Sequence, residues 1–108
     1  MDREFAENLL EQLAILEVTI EEISRKIPVE LRKLISKDLG TLLKCCAEME
    51  MDIGSKEPDL HPMFLGLENF SNLRKKHENP KHPVELPSDE EIRKANELWV
   101  KIKKSGPK

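Results

Sequence analysis

Five side chains in this sequence have the chemistry to bind a soft or borderline metal: Cys45, Cys46, His61, His77 and His82. Structural zinc draws on two short-spaced ligand pairs of the Cys-x2–4-Cys kind. Here the two cysteines are adjacent, and the step from His77 to His82 is an isolated pair in a proline-rich stretch. Neighbouring residues on a helix point about 100° apart, so Cys45 and Cys46 do not form an ordinary disulfide with each other. Cys46 also falls on an apolar helical seam, where a free cysteine behaves as a small hydrophobe. No metal and no cofactor is expected.

The carboxylates point the same way. Glu48 and Asp52 share a helix face with Lys44, which is ordinary surface pairing. The run Asp89, Glu90, Glu91 has no histidine partner in any catalytic spacing. A Gly-rich phosphate loop, a GxSxG turn and an HExxH motif are all missing from the sequence. The expectation is a non-enzymatic protein, with no motif specific enough to suggest a family.

Phosphate contact is the remaining polar chemistry. Arg74, Lys75 and Lys76, with His77 and Lys81 nearby, form one basic group, and Lys101, Lys103, Lys104 and Lys108 form another. Such residues bind nucleic acid through its backbone. Net charge is −3 and aromatics make up only 4%, so phosphate contact without base readout is the form it would take. That is the alternative functional reading.

The elements that hold these residues are helical. Ala6, Leu9, Leu13, Leu16, Ile20, Ile23 and Ile27 alternate at spacings of three and four, and Leu10, Ile15 and Val18 widen the stripe. Pro28 interrupts the pattern, since it lacks an N–H and biases Ile27 away from helix. A second seam follows through Leu31, Ile35, Leu39, Leu42, Cys46, Met49 and Ile53, widened by Leu34, Leu43 and Cys45. Gly40 inside it reads as a close helix crossing, and Gly54 with Ser55 as the stop. Two arms of similar length with a short connection suggest an antiparallel hairpin over 1–54; one kinked helix of about 50 residues is the competing arrangement.

Residues 55–87 contain five of the seven prolines and read as a loop segment with one short helix within 67–77. Met63, Phe64, Leu65, Leu67 and Phe70 make this segment too apolar for a free linker, so it should fold back or dock on a partner. Ser88 and Glu91 form a capping box that opens a helix over 88–104, with Trp99 as its packing anchor and a frayed tail over 105–108.

The fold class is therefore all-α: a hairpin, a Pro-rich partly apolar loop and a C-terminal helix, building a helical bundle by dimerisation. With 36% charged residues and no tyrosine, the composition supports helices over sheets. The longest apolar run spans residues 13–16, far short of the roughly 20 residues of a membrane span. The acidic N-terminus does not read as a secretory signal, and two unframed thiols suit a reducing, cytoplasmic setting. Charge is uneven: twelve acids and seven bases in 1–54, nine acids and eleven bases in 55–108.

A hairpin buries one face of each helix, so the surplus apolar width needs the C-terminal segment, a second copy or another protein to cover it. The expected function is protein–protein association, as a homodimeric adaptor or regulator or as a small subunit of a larger complex. The expected interface residues are Leu9, Leu13, Leu16, Ile20 and Ile23 on the first arm, Met63, Phe64 and Phe70 in the loop, and Trp99.

Overall fold

The computed structural model describes residues 2–105, and the chain within them is all-α. Helix α1 runs Arg3–Lys26 and begins at Asp2, whose side chain accepts the Glu4 N–H at 3.2 Å. An aspartate cap satisfies a donor that the first turn leaves unpaired. Arg25 and Lys26 close the helix, where positive charge meets the negative end of the dipole. Ile27 is extended (φ −65°, ψ 129°), as a residue before proline should be.

Helix α2, Val29–Lys56, starts directly after Pro28, whose carbonyl accepts from Leu31 and Arg32. It continues straight through Gly40. A Cβ built there meets nothing within 4 Å, so the close crossing expected at this glycine is not present. Nor does α2 stop at Gly54. That residue is buried within the last turns because the His61 ring lies against it, and a Cβ there would overlap the ring. Helix α2 ends two residues later, and a 3-10 turn, Pro58–Leu60, follows.

Arg3 fixes how the first two helices lie. From the first residue of α1 it reaches Asp59 at 2.6 Å and Glu57 at 3.2 Å, just beyond the end of α2. The core forms at that end of the molecule. Ala6, Leu10, Leu13, Ala14 and Ile20 of α1 cluster with Cys46 and Ile53 of α2, Leu60 and Phe70. Helix α3, Leu67–Lys76, packs against α1. Burying a leucine as fully as Leu10 contributes about 1.5–3 kcal/mol.

Helix α4, Asp89–Ser105, opens with the expected capping box: Ser88 N–H donates to Glu91 Oε1 at 2.8 Å, and Glu91 N–H to Ser88 Oγ at 3.1 Å. The rest of the tail expected to fray, 106–108, lies outside the described residues. Among the described side chains of α4, Ala95 is the one buried; Ile92 and Trp99 are half-buried beside it. Between α3 and α4 the only β-type pairing among the described residues is an isolated bridge, Asn79 to His82.

The molecule is elongated, 48 × 28 × 26 Å, with a radius of gyration of 15.4 Å. A compact domain of this length would have about 13 Å. The extension comes mainly from the first half of α2, where no side chain is buried.

Candidate protein-association surface

The first half of α2 is bare. From residue 29 to 45 no side chain is buried, and only Ile35 and Leu39 are even half-buried. Val29 is 75% exposed and Leu34 69%, with Leu31, Leu42 and Leu43 also open. At about 100° per residue, Leu31, Leu34, Leu42, Cys45 and Met49 fall within an arc of about 80°. Gly54, which receives the His61 ring, lies almost opposite that arc.

Helix α1 adds to the same face. Phe5, Leu16 and Ile23 align within about 20° of one another and are all exposed. Ile23 stands two residues, hence about 160°, from Glu21, which pairs with Arg74 of α3 at 2.6 Å. The exposed strip therefore occupies the side of the α1–α2 pair turned away from α3. Asp38 and Asp52 fall within its arc and Glu48 lies beside it, and none of the three makes an ion pair among the described residues.

The residues expected at an interface divide into three groups. Leu13, Ile20 and Phe70 lie in the intramolecular core, with Leu9 half-buried against it. Leu16 and Ile23 remain open, at 40% and 43% exposure, and so does Met63. Phe64 and Trp99 face each other, ring centroids 5.6 Å apart, with His61 completing the cluster. A regular three-four seam thus splits, because its two edges lie far enough apart on the helix to face different surroundings.

The first basic group is already engaged. Arg74 pairs with Glu21 and lies 3.8 Å from Glu17; Lys75 bonds Glu78 at 3.0 Å; Lys76 bonds Glu11 at 2.8 Å. Lys76 and His77 together hold the Glu11 carboxyl below its ordinary range, and Asn79 does the same for Glu22. Lys101, Lys103 and Lys104 are exposed near the end of α4.

One cluster has no counterpart among the sequence motifs. Glu50 is only 7% exposed, at the junction of α1, α2 and α3. Burial, then a hydrogen bond with Glu17 and the charge of Glu17, pushes its carboxyl up to about 9, against a smaller opposing pull from Arg74. Burial first, and then the Glu17 and Glu50 charges, also push the Cys46 thiol up. Glu50 Oε2 and Arg74 Nε have no hydrogen-bond partner among the described residues. The signal was in the spacing: Glu50 lies four residues after Cys46 and three before Ile53, which puts it on the buried arc of α2.

Near the start of α1 the polar groups satisfy one another. A cleft of about 440 Å³ lies between the start of α1, the 3-10 turn and α3, lined by Arg3, Glu7, Asn8, Glu11, Asp59, Leu60, Asn69 and Leu73. Its charged walls are internally paired, Arg3 with Glu7 and Asp59, and Glu11 with Lys76. His61 is buried, Nδ1 accepting the Met63 N–H at 3.2 Å, and burial lowers its pKa. No three His, Cys, Asp or Glu among the described residues converge as a metal site. No helix among them is long and apolar enough to cross a membrane. No protein-family model, curated protein or solved structure matches this chain.

Proposed function

We propose that this chain is a small non-enzymatic protein-association module, an adaptor or regulator working in the cytoplasm. Its association core is an antiparallel hairpin over residues 1–54, which builds a helical bundle with a second copy or completes a larger assembly. One observation carries this reading: the exposed apolar strip of α2, with Leu34 at 69% and Leu42 at 48% exposure, continued on α1 by Leu16 and Ile23. Single exposed leucines are ordinary, whereas a row of them along one helix face marks an association surface.

The strip also lies where nothing else is at stake. The buried residues of α2 are Cys46, Glu50, Ile53 and Gly54, all in its second half. Replacing Leu34 and Leu42 with glutamate should therefore leave the melting temperature within a few degrees while removing association. Light scattering behind a sizing column reads self-association, and cross-linking in cells reads association with other chains. Loss of the higher-mass species in the variant supports the module. A parent chain that stays at 12.5 kDa and gives no cross-link within residues 29–49 overturns it.

Phosphate binding is the less supported alternative. The pairing of Arg74, Lys75 and Lys76 with carboxylates of the same chain leaves it resting on the end of α4. Retention of the chain on a phosphate-rich polyanion at low salt, lost by 200 mM, would favour it.

A further inference from the structure

We infer that His61 is an acid-sensitive latch on helix α4: protonation of its ring unseats Trp99 and frees α4 while the body built from α1, α2 and α3 stays folded. The inference is independent of what covers the exposed strip.

His61 sits where three parts of the chain meet. Its ring lies against Gly54 in the last turns of α2, and a Cβ at that position would overlap it. Its centroid is 4.7 Å from that of Phe64 and 5.9 Å from that of Trp99 on α4. Only 6% of the residue is exposed. The Met63 N–H donates to Nδ1 at 3.2 Å. A backbone amide can only donate, so this bond requires an unprotonated Nδ1 and a neutral ring.

Protonation would set two N–H groups against each other and place a charge where water is largely excluded. No carboxylate offsets that charge: His61 makes no ion pair among the described residues, and burial is the cause of its lowered pKa. Its charged neighbours in the turn, Glu57 and Asp59, are held by Arg3 of α1. Asp52 and Lys56 flank Gly54 on α2, Glu68 opens α3, and Lys103 follows Trp99 by about a turn of α4; all four are exposed. The faces of Phe64 and Trp99 attract an imidazolium, but that attraction restores neither the Met63 bond nor the lost hydration.

Helix α4 has little else to hold it. Ala95 alone is buried among its described side chains, and Leu98, Val100 and Ile102 are exposed. The main core cluster contains no residue of α4, so the helix can leave without opening it. Release bares Phe64 and Trp99.

Freed His61 titrates at the ordinary 6.5 and the packed ring below it, so the released form takes up the proton first. Docking is fully favoured above that value and weakens as pH falls toward the packed-state value, by at most a factor of about ten per pH unit for one proton. Other groups do not mimic this. Protonated His77 gains an ion pair with Glu11, and His82 is exposed. The Glu11, Glu22, Asp59 and Glu78 carboxyls are held below their ordinary range and keep their charge above pH 5.

Hydrogen exchange of the full chain between pH 7.5 and pH 5, corrected for the intrinsic rate, reads body and helix separately. Protection across residues 89–105 should fall by as much as about tenfold per pH unit in the acid part of that range, while that around Leu10 and Ile53 holds. His61→Asn offers Oδ1 in place of Nδ1 and does not titrate, so its α4 should be equally protected throughout. Ring-proton NMR of the parent is the second measurement: the His61 signals should titrate together with the opening of α4.

Protection of α4 that stays flat in the parent, or is lost together with that of the body, overturns the inference. So does a His61→Asn variant that keeps the parent's pH dependence. Where His61→Asn has already released α4 or fails to fold, the NMR titration decides. A His61 ring that gains its proton with α4 still docked, or stays neutral while α4 opens, overturns the latch.

Discussion

Glu50 shows how strongly position overrides residue type. A carboxylate is among the least buried side chains in proteins, and this one is 7% exposed beside Glu17. The buried pair holds one proton more readily than two negative charges. Folded Glu50 titrates near 9 against an ordinary 4.5, so folding takes up a proton between those values. Its contribution to stability is complete below about 4.5 and is lost as pH rises toward 9. Glu50→Gln keeps the shape and removes the proton. Thermal melts from pH 5 to 10 should show the parent losing stability across that range and the variant holding nearly flat. Parallel curves for the two proteins would mean Glu50 is charged in the folded state. The lowered carboxyls of Glu11, Glu22, Asp59 and Glu78 act at the other end: what they contribute is present above their ordinary values and lost as pH falls through the shifted ones.

At the level of helices, the sequence was most readable where the signal is local. The break at Pro28, the short helix beginning at Leu67 and the capping box at Ser88 depend on neighbours within four residues, and all three are present. The glycines of α2 were not readable in this way, because what a glycine does depends on what lies across from it. Gly40 resembled a crossing and faces open space; Gly54 resembled a stop and instead makes room for His61. The two should respond oppositely to alanine. Gly40→Ala should stabilise by about 0.5–1 kcal/mol through helix propensity alone. Gly54→Ala should cost about 1–3 kcal/mol by displacing the ring. Urea unfolding of both variants checks the pair, and equal effects would show that the His61 contact is not maintained in solution. The seam was misleading for a related reason. Periodicity marks which residues share a face, but α1 has two buried flanks and one open edge, and only the tertiary contacts distinguish Leu13 from Leu16.

The whole molecule is a packed body with a helical extension. The charge difference between the halves of the sequence is largely absorbed within the body, where Glu11, Glu17 and Glu21 of α1 meet Arg74, Lys76 and His77 at the end of α3. Helix α4 is held differently, chiefly by Trp99 against Phe64 and His61 with Ala95 beneath. Trp99→Ala should therefore release α4 without melting α1 and α2. Hydrogen exchange should quicken across residues 89–105 while Leu10 and Ile53 stay protected. Global loss of protection would place Trp99 in the main core.

The two adjacent thiols differ sharply in setting. Cys45 is exposed within the strip, and Cys46, one residue on, is 1% exposed, with burial pushing its thiol further from the reactive thiolate. A thiol reagent thus has one fast site and, beside it, a slow internal reference. If a partner covers the strip as proposed, the labelling rate of Cys45 measures how often it is uncovered, and that of Cys46 measures how often the body opens. The chain carries its own occupancy gauge, readable by mass spectrometry with no substitution at all.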